Sequence, residues 1–384
     1  MSGDATNERS GRQSEERAQP PAEQARNGAR PENMNDGTAA PMLSARDLAV
    51  QFTAPGGRVA RAVDGVNLDL RPGEILALAG ESGCGKTTLA RTLLGLERPT
   101  AGTVSYGGSA LRYSTKALKR YRRAVQLVLQ DPTGALNPRH TVYDAVAEGL
   151  RIHRVHDNER DRVADALSRA GLRPPEKFFL TYPHELSGGQ RQRVVIAGAL
   201  VLEPQIIIAD EPVASLDASV RGEILALIMR LRDELGLAAI VVTHDLGLAW
   251  NIADRIAVMY LGRIVEEGPV DRVLTEPRHP YTRALVSVLP NSPVPEPVVL
   301  SGEPPDATEV PGGCRFHPRC QVLASGLAEQ AGVADACRRT DLPVLSAETR
   351  RPPDTAGDPG QSAAGDTGSR VACHYAHATT ASPA

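Results

Sequence analysis

The chain has no apolar run near the roughly 18 residues that would read as a membrane-crossing helix. Work at a membrane would therefore need another subunit to supply the span. The N-terminus lacks the apolar core of a secretory signal, which places the expected site of action in the cytoplasm. Charge of one sign is also missing: 43 basic residues stand against 46 acidic ones, a net of −3. No electrostatic footprint for nucleic acid results, and no nucleic-acid partner is expected. Cysteine is scarce, five in 384 residues, and cytoplasmic cysteines are expected free, metal-bound or catalytic rather than disulfide-bonded. Residues 1–41 contain no Val, Ile, Leu, Phe, Tyr or Trp. Such a stretch cannot bury enough apolar surface to offset its ordering entropy and reads as a disordered tail. The length corresponds to about two domains.

What is present centres on Gly80-Glu81-Ser82-Gly83-Cys84-Gly85-Lys86-Thr87-Thr88, between the apolar run 75–79 and the helix-like run 89–94. It fits G-x-x-x-x-G-K-[ST] in the strand-to-helix setting that the pattern requires. Glycines let successive backbone N–H groups curl around phosphate oxygens, and the helix N-terminus adds partial positive charge. Lys86 is expected on the terminal phosphates and Thr87 on Mg²⁺. The alternative is a glycine-rich turn with an exposed lysine, which the strand before and the helix after disfavour.

Before this loop, runs 48–52, 62–63 and 66–70 read as short strands of a small β-subdomain ending at the Arg71-Pro72-Gly73 turn. Phe52, one of only four phenylalanines, is placed either to stack on an adenine ring or to pack in the core. After the first helix, 103–106 reads as a strand, and 124–132 as a strand leaving through Asp131-Pro132 with Gln130 at its exit. Gln130 is either a metal and subdomain contact or an ordinary solvated residue. Residues 141 to about 200 read as helices, Thr141 and Ser187 being N-cap candidates. Ser187-Gly188-Gly189-Gln190 opens a second helix N-terminus suited to phosphate or simply to capping. The run 205–209 reads as a buried parallel strand ending in Asp210-Glu211, either a strand meeting a polar loop or, as its place downstream of a phosphate loop favours, a Mg²⁺ ligand followed by a carboxylate that orients and deprotonates water. Helix 220–235 then leads to strand 239–243, which delivers His244, a γ-phosphate contact or a satisfied strand-end polar residue.

Together the phosphate loop, Gln130, Leu186-Ser187-Gly188-Gly189-Gln190, Asp210-Glu211, Ala214-Ser215-Leu216-Asp217 and His244 resemble the nucleotide-binding subunit of ABC transporters over about residues 43–270. Gln130-Asp131-Pro132, Leu136-Asn137-Pro138-Arg139, Tyr182-Pro183-His184-Glu185 and His279-Pro280-Tyr281-Thr282 make it similar to the oligopeptide/dipeptide importer ATPases, and Glu211-Pro212-Val213 to the second of the two such ATPases. Leu129 stands where that family usually has Phe, and Ala214-Ser215 reverses its usual Ser-Ala.

The resemblance implies an α/β fold: a P-loop ATPase core with an antiparallel β-subdomain and a helical subdomain, spanning residues 42–290. It implies ATP and Mg²⁺ as cofactors, Glu211, His244 and Gln130 as the catalytic set, and Thr87, Gln130 and Asp210 at Mg²⁺. Phe52, the loop Gly80, Glu81, Ser82, Gly83, Cys84, Gly85, Lys86, Thr87 and Thr88, then Ser187, Gly188, Gly189, Gln190 and Asp217 are implied nucleotide contacts, the last five across a head-to-tail pair of subunits. Implied partners are membrane permease subunits, a second ATPase that is a copy or a paralogue, and an extracellular or periplasmic substrate-binding protein. The implied place is the cytoplasmic face of the inner membrane, as a peripheral subunit driving peptide import. The alternatives are the same engine serving nickel or another small solute, and a soluble ABC ATPase outside transport.

Residues 291–312 read as a linker into a C-terminal extension, 291–384, and 351–369 as a disordered segment. The resemblance implies that Cys314, Cys320, Cys337 and Cys373 hold a [4Fe–4S] cluster; free thiols or a Cys₄ zinc site remain the alternatives. Because the catalytic motifs all precede residue 250, such a cluster is expected to be structural, with ATP binding independent of it.

Overall fold

In a computed structural model the described residues are 40–290, 292–341, 345 and 369–381. Of the two segments expected to be disordered, residues 1–39 and 351–368 lie outside them.

A four-stranded antiparallel sheet opens the structure, with strand order β2-β1-β4-β5: β1 (Leu43–Thr53), β2 (Val59–Leu70), β4 (Ala101–Tyr106) and β5 (Ser109–Ala110). The two short runs 62–63 and 66–70 prove to be one strand, since β2 continues through Asp64-Gly65 and pairs along β1 with register shifts.

The second sheet has seven strands in the order β11-β10-β9-β3-β8-β7-β6. Its parallel centre is β3 (Ile75–Ala79), β6 (Val125–Val128), β7 (Ile206–Asp210), β8 (Ala238–Thr243) and β9 (Arg255–Tyr260). Every residue of β3 and β8 is buried, as expected of parallel strands covered on both faces. β10 (Arg263–Pro269) returns antiparallel to β9 through Leu261-Gly262, both at positive φ (42° and 82°), the backbone of a tight hairpin. β11 (Arg370–Val371) then adds to β10. The extension thus completes the edge of the main sheet, and the described residues belong to one compact unit.

The helices follow from capping and periodicity. α1 (Lys86–Leu93) leaves the phosphate loop, and the basic run 119–123 proves to be part of α2 (Thr115–Ala124), capped by Ser114. After α3 (Pro132–Ala135) come α4 (Val142–His153), capped by Thr141, and α5 (Glu159–Arg169). α6 (Gly188–Leu200) has a reciprocal capping box between Ser187 and Gln190. Val146, Leu150, Val163, Leu167 and Ile196 from α4, α5 and α6 join one core with β3 and β8. α7 (Ala218–Leu235) and α8 (Leu246–Ile252) complete the core layers. α9 (Val270–Thr275) and α10 (Pro280–Ser287) lead into the extension, which carries α11 (Gln321–Ala324), α12 (Leu327–Gln330), α13 (Ala334–Arg339) and α14 (His374–Ala381).

Candidate functional site

Because β3, β6, β7 and β8 run parallel, their C-terminal ends lie on one edge, the ligand-binding edge of open α/β sheets. β3 ends in the phosphate loop, β6 delivers Gln130, β7 delivers Asp210 and Glu211, and β8 delivers His244. Gly80 (φ 150°) and Gly85 (φ 108°) leave no room for a side chain. A Cβ would come within 2.2 Å of the Met259 carbonyl oxygen and 2.1 Å of the Ala62 carbonyl oxygen, respectively. The loop is thus moulded against β9 and β2.

Lys86 is buried, and its Nζ donates to the carbonyl oxygens of Gly80 (2.7 Å) and Glu81 (2.8 Å). Across the edge, the Thr87 hydroxyl donates to Asp210 Oδ1 at 3.4 Å. Burial pushes the Asp210 carboxyl above its usual range, opposed by the Thr87 hydrogen bond. A half-buried carboxylate beside a hydroxyl suits a bound divalent cation. Glu211 sits at φ 46°, a strained position for a residue with a side chain, and its N–H donates to the Val242 carbonyl (3.0 Å). Both of its carboxylate oxygens are engaged: Oε2 accepts from Gln130 Nε2 at 3.1 Å, and Oε1 lies 3.1 Å from His244 Nδ1.

The fold therefore gathers Lys86, Thr87, Asp210, Glu211, Gln130 and His244. Ser187 and Asp217 are exposed, and neither side chain hydrogen-bonds to that cluster among the described residues. Phe52 is 42% exposed on β1, so the packed-core alternative falls. Leu129 is also exposed, and Ser215 Oγ reaches the Gln130 carbonyl at 3.5 Å.

The residues that sequence reasoning missed come from beyond the core. Arg319, in the cysteine-bearing extension, is buried and grips the Glu81 carboxylate with both terminal nitrogens, at 2.8 and 3.1 Å. The Tyr281 hydroxyl accepts the Glu81 backbone N–H at 2.8 Å. Tyr260, Tyr281 and Phe316 pack ring to ring beneath them. The extension thus touches the phosphate loop directly.

Cys314, Cys320, Cys337 and Cys373 line one cavity with His279 and Phe316, and none is disulfide-bonded. Burial pushes the Cys314 thiol up to about 12 and that of Cys373 up to about 11, and it raises Cys320 and Cys337 as well. Without a metal these are protonated thiols at neutral pH. Among the described residues no three His, Cys, Asp or Glu side chains converge closely enough to hold a metal ion. The donors surround a common space without forming a closed site, so the cluster implied by the resemblance has no direct support in this geometry.

The ABC transporter family profile matches residues 63–214. That for the oligopeptide/dipeptide transporter C-terminal region matches residues 265–325, which include Tyr281 and Arg319. The dipeptide transport ATP-binding protein DppF of Escherichia coli is 43% identical over 319 residues, 78% of this chain and 95% of that protein. The chain belongs to the oligopeptide/dipeptide class of ABC transporter ATP-binding proteins. It is by that membership an ATPase. The oligopeptide transport ATP-binding protein OppF of Salmonella typhimurium is 39% identical over 327 residues, 80% of this chain and 96% of its own length. Among solved structures, cbiO1 from Clostridium perfringens, part of the ABC transporter complex cbiONQ, aligns with a TM-score of 0.56 at 33% identity, over 62% of this chain and 91% of that one. The ATP-binding cassette MJ0796, solved as a dimer bound to ADP and Pi, aligns with a TM-score of 0.54 at 31% identity, over 60% of this chain and 99% of that one. No helix among the described residues is long and apolar enough to cross a membrane.

Proposed function

We propose that this chain hydrolyses ATP to power the import of dipeptides or oligopeptides through a membrane permease. The observation that carries the reading is Glu211, held at both oxygens beside the Thr87–Asp210 pair at the open end of a parallel sheet. The phosphates of ATP take the loop N–H groups from Gly80 to Thr88 and the Lys86 ammonium, which leaves its carbonyl partners for them. Phe52 stacks on the adenine. Thr87, Asp210 and Gln130 would hold Mg²⁺, which when bound neutralises charge on the β- and γ-phosphate oxygens. Glu211 accepts a proton from water as the water oxygen bonds to the γ-phosphorus and the bond to the bridging oxygen breaks, releasing ADP and phosphate. His244 contacts the γ-phosphate while fixing the Glu211 carboxylate.

The exposed Ser187 and Gly188, with the half-buried Gly189 and Gln190, face the nucleotide of a second cassette, and Asp217 links the two sites. The dimeric form of MJ0796 supports that arrangement. Gln130 and the helices α4–α6 press on the permease, which holds the chain peripherally at the cytoplasmic face, with a substrate-binding protein on the far side. Peptide is favoured as cargo by the dipeptide and oligopeptide transport roles of the DppF and OppF relatives and by the matching C-terminal region; no observation favours nickel or a soluble role. Deletion of this chain is expected to abolish uptake of labelled dipeptide or oligopeptide in cells, and wild-type uptake of both would refute the cargo.

The finer reading of the extension is that the four cysteines are a ligand set for a [4Fe–4S] cluster; it rests on the resemblance and on the presence of four soft thiol donors around one cavity, which do not close into a site among the described residues. Anaerobic purification followed by iron, sulfide and zinc analysis tests it. Zinc without sulfide, or no metal, overturns it.

A further inference from the structure

We propose that Arg319 is a positioning residue for ATP: the cysteine-bearing extension neutralises and orients Glu81, an acidic residue inside the phosphate loop. A carboxylate in an anion-binding loop opposes the charge it is meant to bind, unless a cation cancels it. Glu81 is such a residue, and three contacts hold it. Its N–H is taken by Tyr281 (2.8 Å), its carbonyl accepts from Lys86 (2.8 Å), and its carboxylate is forked by Arg319 at 2.8 and 3.1 Å.

The cation is itself fixed. Arg319 is 6% exposed, its Nε donates to the Ser301 carbonyl at 3.3 Å, and its guanidinium lies over the Tyr260 ring, 5.9 Å from the centroid. Two-pronged pairing sets direction as well as charge, which a single ammonium does not do. Arg319 and Glu81 are 238 positions apart in sequence, so the loop reaches its binding shape only once the extension has docked. Removing Arg319 leaves a carboxylate without its counter-charge next to the phosphates, at a cost that grows with the charge of the nucleotide.

The proposal rests on the nucleotide reading of the loop, and the test keeps the two apart. ATP and ADP affinities are measured on the full-length chain for wild type, Arg319→Met and the double variant Glu81→Gln/Arg319→Met. Wild type without ATP binding would fail the nucleotide reading itself. With wild type binding, Arg319→Met should weaken ATP about tenfold and ADP less. Glu81→Gln in the same chain should restore ATP affinity to within about threefold of wild type, because the unpaired charge is gone. A merely structural arginine would show equal losses for ATP and ADP and no rescue, and that result, or wild-type affinity in Arg319→Met, overturns the proposal. If Arg319→Met does not fold, Arg319→Lys keeps the charge and loses the fork. A loss of ATP affinity of about threefold or more then supports the proposal, and wild-type affinity overturns it.

Discussion

Replacing Glu211 with Gln removes the base while keeping its shape, and the structure sets the expected size of the effect. The side chain is held from both sides, at 3.1 Å by Gln130 and 3.1 Å by His244, so an isosteric amide stays in place and only proton acceptance is lost. A positioned general base contributes about 10²–10⁴-fold, or about 3–5 kcal/mol of barrier. Nucleotide affinity should survive, because it rests on Lys86 and the loop amides, which Glu211 does not touch. The assay is phosphate release under saturating Mg-ATP by the assembled transporter, paired with equilibrium ATP binding; the variant should retain ATP and accumulate as a closed dimer. Turnover within about threefold of wild type would refute the role of base. Loss of ATP affinity with the rate constant unchanged would move Glu211 from chemistry to binding.

Gly85→Ala should abolish ATP binding and lower the melting temperature, since its Cβ would meet the Ala62 carbonyl at 2.1 Å from a backbone at φ 108°; a variant that binds ATP normally contradicts the packing of the loop. Gln130→Ala should lower transport far more than ATP affinity, as measured by uptake against binding, and the reverse pattern would place Gln130 in the nucleotide site alone. His279 is fully buried, and burial pushes its imidazole down to about 3, below the ~6.5 of the unfolded chain. The unfolded state therefore binds one more proton between those values, and stability falls as pH drops from about 6.5 towards 3, by about 1.4 kcal/mol per pH unit from this group. His279→Asn keeps an acceptor for the Tyr281 N–H that His279 caps at 3.1 Å and should flatten that part of the denaturation-versus-pH curve; an unchanged slope contradicts a neutral buried imidazole.

The parallel core and its site were legible because each part is local. Apolar runs such as 75–79 and 205–209 end in residues whose chemistry shows in the next few positions, and Thr141 and Ser187 announce their helices by type. The β9–β10 hairpin was missed although Leu261-Gly262 between two apolar runs was its visible sign. What sequence could not show was long-range pairing. Arg319 beside Cys320 resembles any solvated arginine until the fold brings it to Glu81, and the two residues of β11 carry too little pattern to announce a strand. The cysteines were countable in the sequence, but whether they converge depends on packing between α11, α13 and the residues around Cys373.

The most direct measurement of the central claim reconstitutes this chain with its permease, partner ATPase and substrate-binding protein in vesicles, and follows ATP hydrolysis and labelled-peptide accumulation together. The account predicts peptide uptake that requires Mg-ATP and stops with hydrolysis in Glu211→Gln. Peptide accumulation that continues in the Glu211→Gln vesicles, or hydrolysis at the wild-type rate there, would contradict it.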